Sequence, residues 1–259
     1  MEKITSLQNA LVRQALGLRE SRERRLKGLT IIDGVREISR ALEAGIALEK
    51  VFYVKGRQEA LLKRLRAQKI ETIEVSDKVM DKLAYGERHE GVVALGRTPA
   101  ITLKDLTFII RPLVVVLESL EKPGNLGAIL RTCDAVGVEA VLVCDPRTDV
   151  YNPNVIRSST GVVFKIPVVC ASAQEISAFL KSHKIKTYAC TPSASQLYTQ
   201  PDLRDASALV LGSEEKGLSD FWLSTADMAV KIPMKGLADS LNVSTAAAVI
   251  LYEALRQRN

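Results

Sequence analysis

Only two histidines, His89 and His183, occur among the 259 residues. Neither sits in an H-E-x-x-H pattern, and G-x-S-x-G is also missing, so zinc-peptidase, serine-hydrolase and other histidine-driven chemistry is not expected. Cys133, Cys144, Cys170 and Cys190 are widely spaced with no C-x-x-C, and three of them lie in apolar runs. Buried reduced thiols are expected from this, with no disulfide, no zinc and no other metal. No apolar run approaches the ~18 residues of a membrane span, and the opening M-E-K-I-T-S-L-Q-N-A lacks the apolar centre of a signal peptide. A soluble, cytoplasmic protein without a membrane partner is the expectation. Five phenylalanines and one tryptophan, mostly in apolar runs, offer no evident platform for stacking bases.

Hydrophobic residues are plentiful at 47%, enough for a packed core of one large or two ordinary domains. Charge is unevenly distributed. Residues 1–100 carry 20 Lys and Arg against 14 Asp and Glu, whereas the rest of the chain carries 16 of each. That asymmetry points to a polyanion-binding front end. Its densest piece is R-E-S-R-E-R-R-L-K, Arg19 to Lys27. With Arg13 just before it, Arg19, Arg22, Arg24, Arg25 and Lys27 form the candidate polyanion-binding set, an RNA-binding set if the polyanion is RNA. Glu20 and Glu23 can pair with these cations at helical spacing, so a solvated helix face is the competing account.

Ile4, Leu7, Leu11, Ala15 and Leu18 recur at helical spacing and predict a first helix. Alternation of strands and helices follows: strands at L-T-I-I-D, L-E-K-V-F-Y-V, I-E-T-I-E-V and G-V-V-A-L-G, with helices at V-R-E-I-S-R-A-L-E-A-G, over 58–69 and after Ser76. Residues 1–97 thus read as a small α/β domain. Residues 98–112 have prolines near both ends and no sustained period, which marks a linker. A second α/β series fills 113–259, with buried strands at L-V-V-V-L-E-S-L, A-V-L-V-C-D, F-K-I-P-V-V-C, I-K-T-Y-A-C, A-L-V-L-G-S and M-A-V-K-I-P. Helices are expected over 126–136, 154–160, 173–183, 217–223 and 240–256. Near-continuous apolar strands alternating with helices predict a mostly parallel sheet covered on both faces.

In such a sheet, ligands bind beyond the carboxyl ends of the strands, and three loops there carry unusual composition. The first is K-P-G-N-L-G-A-I-L-R, Lys122 to Arg131. Asn125 is read as the helix N-cap, Leu126, Ile129, Leu130, Cys133 and Val136 as the buried stripe, and Arg131 as a residue almost opposite it. Gly127, Ala128 and Ala135 share that side and leave room for close approach. The second loop, L-V-L-G-S-E-E-K-G-L-S from Leu209, places Gly212 and Gly217 at P-loop spacing. Leu218 stands where a P-loop needs lysine, and Glu214 and Glu215 would repel phosphates, so a nucleotide-dependent phosphotransferase is a poor fit. Acidic groups beside glycines suit a cationic ligand. The third, I-P-M-K-G-L-A-D-S-L-N-V-S-T-A-A-A from Ile232, leads into the final helix, with Ser240 as its expected cap. Asn242 and Ser244 carry polar groups into a largely apolar helix and must find partners.

Taken in this order, the three loops resemble the signature motifs of the SpoU (TrmH) family of RNA 2′-O-ribose methyltransferases in the SPOUT superfamily. N-P-N-V-I-R-S-S-T-G, Asn152 to Gly161, resembles the family as well, and residues 1–97 resemble its attached substrate-binding domain. The resemblance implies an α/β fold in which the carboxyl-terminal parallel sheet is tied in a trefoil knot. S-adenosylmethionine is the implied cofactor, held by Leu211, Gly212, Gly217, Ile232, Met234, Leu241 and Asn242. Asn125, Arg131, Glu214, Ser240 and Asn242 become the catalytic set by the same carry-over. A homodimer through the carboxyl-terminal domain is implied, as is methyl transfer to a ribose 2′-hydroxyl of structured RNA. The RNA-binding front end favours ribosomal RNA, most directly 23S, over transfer RNA. The readings set against it are a transfer RNA methyltransferase and a non-catalytic RNA-binding or ribosome-assembly protein.

Overall fold

The computed structural model describes residues 3–85 and 89–259. The chain divides into two compact units, Met1–Ala100 with Tyr151–Lys165, and Ile101–Val150 with Ile166–Asn259. This differs from the sequential partition expected above in two respects. Residues 101–112 belong to the second unit: a short 3-10 turn at Leu103–Asp105 is closed by Thr102 and Asp105, and Leu106 and Phe108 pack into its core. Tyr151–Lys165 leaves the second unit's sequence and packs in the first.

The first unit begins with helix α1 (Ala10–Gly17), started by Asn9, whose side chain accepts from Leu11 N. This helix is shorter than the periodicity of 4–18 predicted. Ile4 instead makes a parallel bridge to Val75, so its apolar side chain joins the same core from an extended segment. Helix α2 (Ser21–Lys27) ends at Gly28, whose φ of +61° is the left-handed turn that glycine tolerates without strain. Strand β1 (Leu29–Asp33), helix α3 (Val35–Glu43), strand β2 (Leu48–Tyr53), helix α4 (Glu59–Ala67), strand β3 (Glu71–Glu74), helix α5 (Asp77–Leu83) and strand β4 (Val92–Arg97) follow. The sheet has the order β1-β4-β2-β3, with β4 antiparallel to both neighbours and β2 parallel to β3.

The second unit opens with β5 (Leu113–Glu118), α6 (Pro123–Val136) and β6 (Ala140–Cys144). The excursion that follows holds α7 (Pro153–Ser158), packed on β1. There Thr30 Oγ1 donates to the Tyr151 carbonyl at 2.8 Å and Arg40 Nη1 to the Thr160 carbonyl at 2.7 Å. The chain returns through β7 (Val168–Ala171), α8 (Ala173–Ser182), β8 (Lys186–Cys190), β9 (Gln196–Leu197), β10 (Ser207–Leu211), α9 (Asp220–Thr225), β11 (Met228–Lys231) and α10 (Val243–Arg258). The strand predicted at F-K-I-P-V-V-C starts only after Pro167, because Phe164 lies in a 3-10 turn and proline has no N–H for the ladder. The two-residue β9 has too short a pattern to be seen in sequence.

All seven strands of this sheet run parallel, in the order β7-β6-β5-β10-β8-β11-β9. Every residue of β5, β6 and β10 is buried, which explains their unbroken apolar runs. Placing β10 between β5 and β8 brings the loops after β5 and β10 to neighbouring positions at one sheet edge. The order is consistent with the threaded topology that the resemblance implied. Helix α10 packs on α6, and Trp222 of α9 is wholly buried in the core. The four cysteines are unpaired; Cys133 and Cys144 are buried as expected, but Cys170 is exposed on β7. Among the described residues, no helix is long and apolar enough to cross a membrane.

Candidate active site

Three loops of the second unit meet through one chain of hydrogen bonds. After β5 the backbone turns at Ser119, φ +53°, and α6 starts with Pro123 in its first turn. The N-cap is Lys122 and not Asn125, a correction to the sequence reading: a proline at the first helical position needs no N–H partner and presets φ. Asn125 is thereby carried into the first turn with its side chain free for other work. Its Nδ2 donates to Glu214 Oε1 at 2.5 Å. On the same helix Leu126, Ile129, Leu130, Cys133 and Val136 are buried and Arg131 is exposed, as the stripe predicted. Gly127 is buried as well, while Ala135 is exposed.

Glu214 comes from the β10–α9 loop, whose closure depends on two glycines. Ser213 and Gly217 exchange main-chain hydrogen bonds of 3.1 Å in both directions, folding the loop onto itself. A Cβ on Gly212 would lie against the backbone of Gly217 and Leu218, well inside the 3.0 Å that real Cβ atoms keep. Gly217 is needed for a different reason, its φ of +68°. Partial burial would raise the Glu214 carboxyl. The Asn125 amide and main-chain N–H groups, including that of Glu121, more than offset this and hold it below the usual carboxylate range.

The third loop supplies Asn242. It is the N-cap of α10, with Oδ1 accepting from Ser244 N at 2.9 Å and Ser244 Oγ at 2.7 Å. Ser240, the expected cap, is exposed two residues earlier and caps nothing, because the helix starts at Val243. Asn242 Nδ2 donates to Asn125 Oδ1 at 3.3 Å. These amide orientations are mutually required: a carboxylate can only accept, so Asn125 must give it Nδ2 and keep Oδ1 for Asn242. Ser244 N–H likewise fixes Asn242 Oδ1. The relay from Ser244 through Asn242 and Asn125 to Glu214 therefore runs in one direction, and it ties together residues far apart in sequence.

Beside it lies a cavity of about 470 Å³, within the ordinary range of small-molecule sites. Leu211, Gly212, Gly217, Ile232, Met234 and Leu241, all expected around a cofactor, line it, and so does Ser240. Asn242 does not. The sequence reading missed the β8 exit, Cys190 to Ser193, and apolar wall residues such as Val230 and Ile250. No pattern marks them, since they are an ordinary strand end and ordinary core positions until the fold brings them here. Burial pushes the Cys190 thiol up to about 12, so it stays protonated. The lining offers apolar walls, exposed main chain and the carboxylates of Glu214, Glu215 and Asp239 against the single cation Lys216. That balance favours a small ligand with both apolar surface and positive charge.

The model described as the SpoU rRNA Methylase family matches residues 112–252. The chain belongs to that family. An MRM3-like substrate binding domain matches residues 9–94 of this SpoU methylase. The 23S rRNA (uridine(2479)-2′-O)-methyltransferase of Streptomyces viridochromogenes is 34% identical to it over 99% of this chain and 92% of that one. A crystal structure of an RNA 2′-O ribose methyltransferase superposes with a TM-score of 0.87 at 43% identity, covering 99% of both chains. The SpoU methyltransferase AviRb from S. viridochromogenes, in complex with the cofactor AdoMet, gives a TM-score of 0.89 at 31% identity, covering 96% of this chain and 99% of that one.

The basic stretch of this SpoU methylase is less uniform than its sequence. Arg24 is 2% exposed, and its Nη1 donates to the carbonyls of Leu18 at 2.8 Å and Arg19 at 2.7 Å, satisfying the end of α1. It is a structural arginine, which corrects its place in the RNA-binding set. Arg19, though exposed, donates to the Lys82 and Ala84 carbonyls at 2.6 and 2.7 Å, and Lys27 pairs with Glu23 at 3.0 Å. Arg13, Arg22 and Arg25 are exposed. An Arg24→Ala variant is expected to lose about 1–3 kcal/mol of stability in chemical denaturation, since it strands the buried Leu18 carbonyl and the part-buried Arg19 carbonyl. Arg22→Ala should change stability little.

Proposed function

We propose that this protein transfers a methyl group from S-adenosylmethionine to a ribose 2′-hydroxyl of 23S ribosomal RNA. The relay joining Asn125, Glu214 and Asn242 beside the cavity carries this reading, because it gathers the three motif loops around one small-molecule site. The cavity suits the donor. Ile232, Leu241 and Ile250 supply apolar walls for an adenine, and the carboxylates of Glu214, Glu215 and Asp239 complement a cationic ligand. Gly212, lacking a side chain, lets the loop main chain form part of the wall. When bound, the donor provides a methyl group on a sulfonium, open to attack by an oxygen.

The chain's own part is positioning, which contributes strongly to a displacement between two held reactants. Asn125 and Asn242 lock the loops in register. Glu214 remains ionised at neutral pH and holds Asn125, so it is a brace for the site. Arg131 stands exposed on α6, six residues beyond Asn125, or about 9 Å along a helix rising 1.5 Å per residue. Its guanidinium offers only N–H donors and no acceptor site, so it cannot serve as a base. It orients the ribose and an adjacent phosphate and stabilises negative charge growing on the 2′-oxygen, while water takes the proton late.

The first unit serves as the RNA-binding domain, with Arg13, Arg22 and Arg25 as its free phosphate contacts. Arg22→Ala with Arg25→Ala should lower the slope of log affinity against log salt by about 2, at roughly 0.9 per lost contact. Helix α10 is apolar nearly all round, yet Tyr252 is 53% exposed and Val249 and Leu255 only half-buried. Such a helix finds a second apolar neighbour, which supports a homodimer through this domain. A cytoplasmic location is part of this reading, since it goes with a ribosomal substrate.

The test supplies methyl-labelled donor with 23S rRNA, 16S rRNA, transfer RNA and no RNA. Label confined to 23S rRNA, alkali-resistant at one phosphodiester, is the expected result. Label in transfer RNA would redirect the substrate. Donor binding without label in any RNA would favour the non-catalytic RNA-binding reading.

A further inference from the structure

Glu118, the last residue of β5, is 4% exposed, and a carboxylate so buried must be satisfied by protein. Its Oε2 accepts from Ser219 N at 2.8 Å and its Oε1 from Ser219 Oγ at 2.7 Å. Ser219 is the N-cap of α9 and closes the far end of the loop that begins at Gly212. In the opposite direction, Glu214 of that loop accepts from Asn125 Nδ2 and from Glu121 N, both on the segment that follows Glu118. Each loop thus sends one carboxylate to grip donors on the other. Nothing in the catalytic scheme above uses Glu118.

We propose that Glu118 is a positioning residue that sets the donor cradle, Gly212 to Leu218, in register with Asn125 and Arg131. The inference rests on the reading of the cavity as the S-adenosylmethionine site. One end of the cradle is fixed by β10, which is paired on both edges. The other end has no strand to hold it: Leu218 and Trp222 anchor it in the core, and Ser219 between them supplies its hydrogen bonds to Glu118. Apolar contacts of Leu218 and Trp222 are non-directional, so with Glu214 alone the main chain of Lys216–Ser219 could still shift and loosen the Ser213–Gly217 pairing from its far side. Two hydrogen bonds from one buried carboxylate remove that freedom. The left-handed Ser119 then turns the chain away immediately, so the carboxylate stays at the sheet edge while residues 120–125 reach Glu214.

The two requirements are geometric, and glutamine meets both: its Oε1 accepts from Ser219 N and its Nε2 donates to Ser219 Oγ. Alanine meets neither. Calorimetric titration of S-adenosylmethionine into Glu118→Ala should therefore give at least about ten-fold weaker binding, the loss expected when a charged group's hydrogen bonds are removed. Glu118→Gln should stay within about two-fold of the wild type, a difference of under half a kcal/mol. Ser219→Ala, which keeps the N–H bond, should fall between them and gives the same readout if Glu118→Ala does not fold. A purely structural role would lower the melting temperature of Glu118→Ala without changing the affinity of the folded fraction. That result, or Glu118→Gln as impaired as Glu118→Ala, would overturn the proposal. Failure of the wild type to bind the donor would instead overturn the reading of the cavity on which the proposal stands.

Discussion

A Gly212→Ala variant is expected to lose binding of S-adenosylmethionine by at least about 100-fold, because overpacking that costs 1–3 kcal/mol in adaptable cores meets backbone here. The added Cβ would sit against the Gly217 carbonyl carbon and oxygen and the Leu218 nitrogen. None of these can move aside as a flexible side chain would. Gly212 is not in the left-handed region, so alanine's own backbone preferences are not at fault, and the whole effect comes from contact. To relieve it the loop must open, which separates Ser213 from Gly217 and draws Glu214 off Asn125. Gly217→Ala provides the contrast. Its Cβ would enter open space, leaving only the cost of φ at +68°, roughly 1–2 kcal/mol. Calorimetry on both variants, with thermal unfolding alongside, separates the two causes. Wild-type donor affinity in Gly212→Ala would refute the close packing of this loop.

The site was marked in sequence by the likeness of three loops to the SpoU motifs, which singled out Gly212, Glu214, Asn125 and Asn242. Residue type and spacing alone fitted a plain strand-to-helix turn at Gly212 equally well. Which of these residues capped a helix was not visible. Asn125 and Ser240 are both good caps by composition, but Pro123 starts α6 earlier and Asn242 starts α10 later. Tertiary partners decided: Asn125 is drawn to Glu214, and Asn242 caps with Oδ1 while spending Nδ2 on Asn125. Arg24 shows the same limit. Its neighbours in sequence are exposed cations, and only the return of α2 past the end of α1 buries it among carbonyls. Glu118 closes an apolar strand in sequence and meets a serine 101 residues later. The small α/β front domain was legible, yet Tyr151–Lys165 was not, because a segment between two core strands gives no local sign that it packs elsewhere.

Arg131→Lys is expected to reduce turnover by about 100- to 1,000-fold, the range seen when one donor to a developing oxyanion is lost. Donor affinity should not change. Arg131 is exposed on α6 and, among the described residues, neither lines the cavity nor joins the relay, so both should survive its replacement. Lysine keeps the charge and the helix, and loses only the planar fork that can address a phosphate and a ribose oxygen together. If Arg131 acted merely as a positive charge drawing RNA toward the site, lysine would restore nearly full activity and the defect would appear in KM for RNA. If it orients and stabilises the reacting oxygen, the loss falls on kcat at saturating RNA. Single-turnover methylation with enzyme in excess distinguishes these outcomes, because it removes product release from the measured rate. A full single-turnover rate in Arg131→Lys would remove the arginine from the chemical step and leave the oriented loops, locked by Asn125 and Asn242, to account for catalysis by proximity alone.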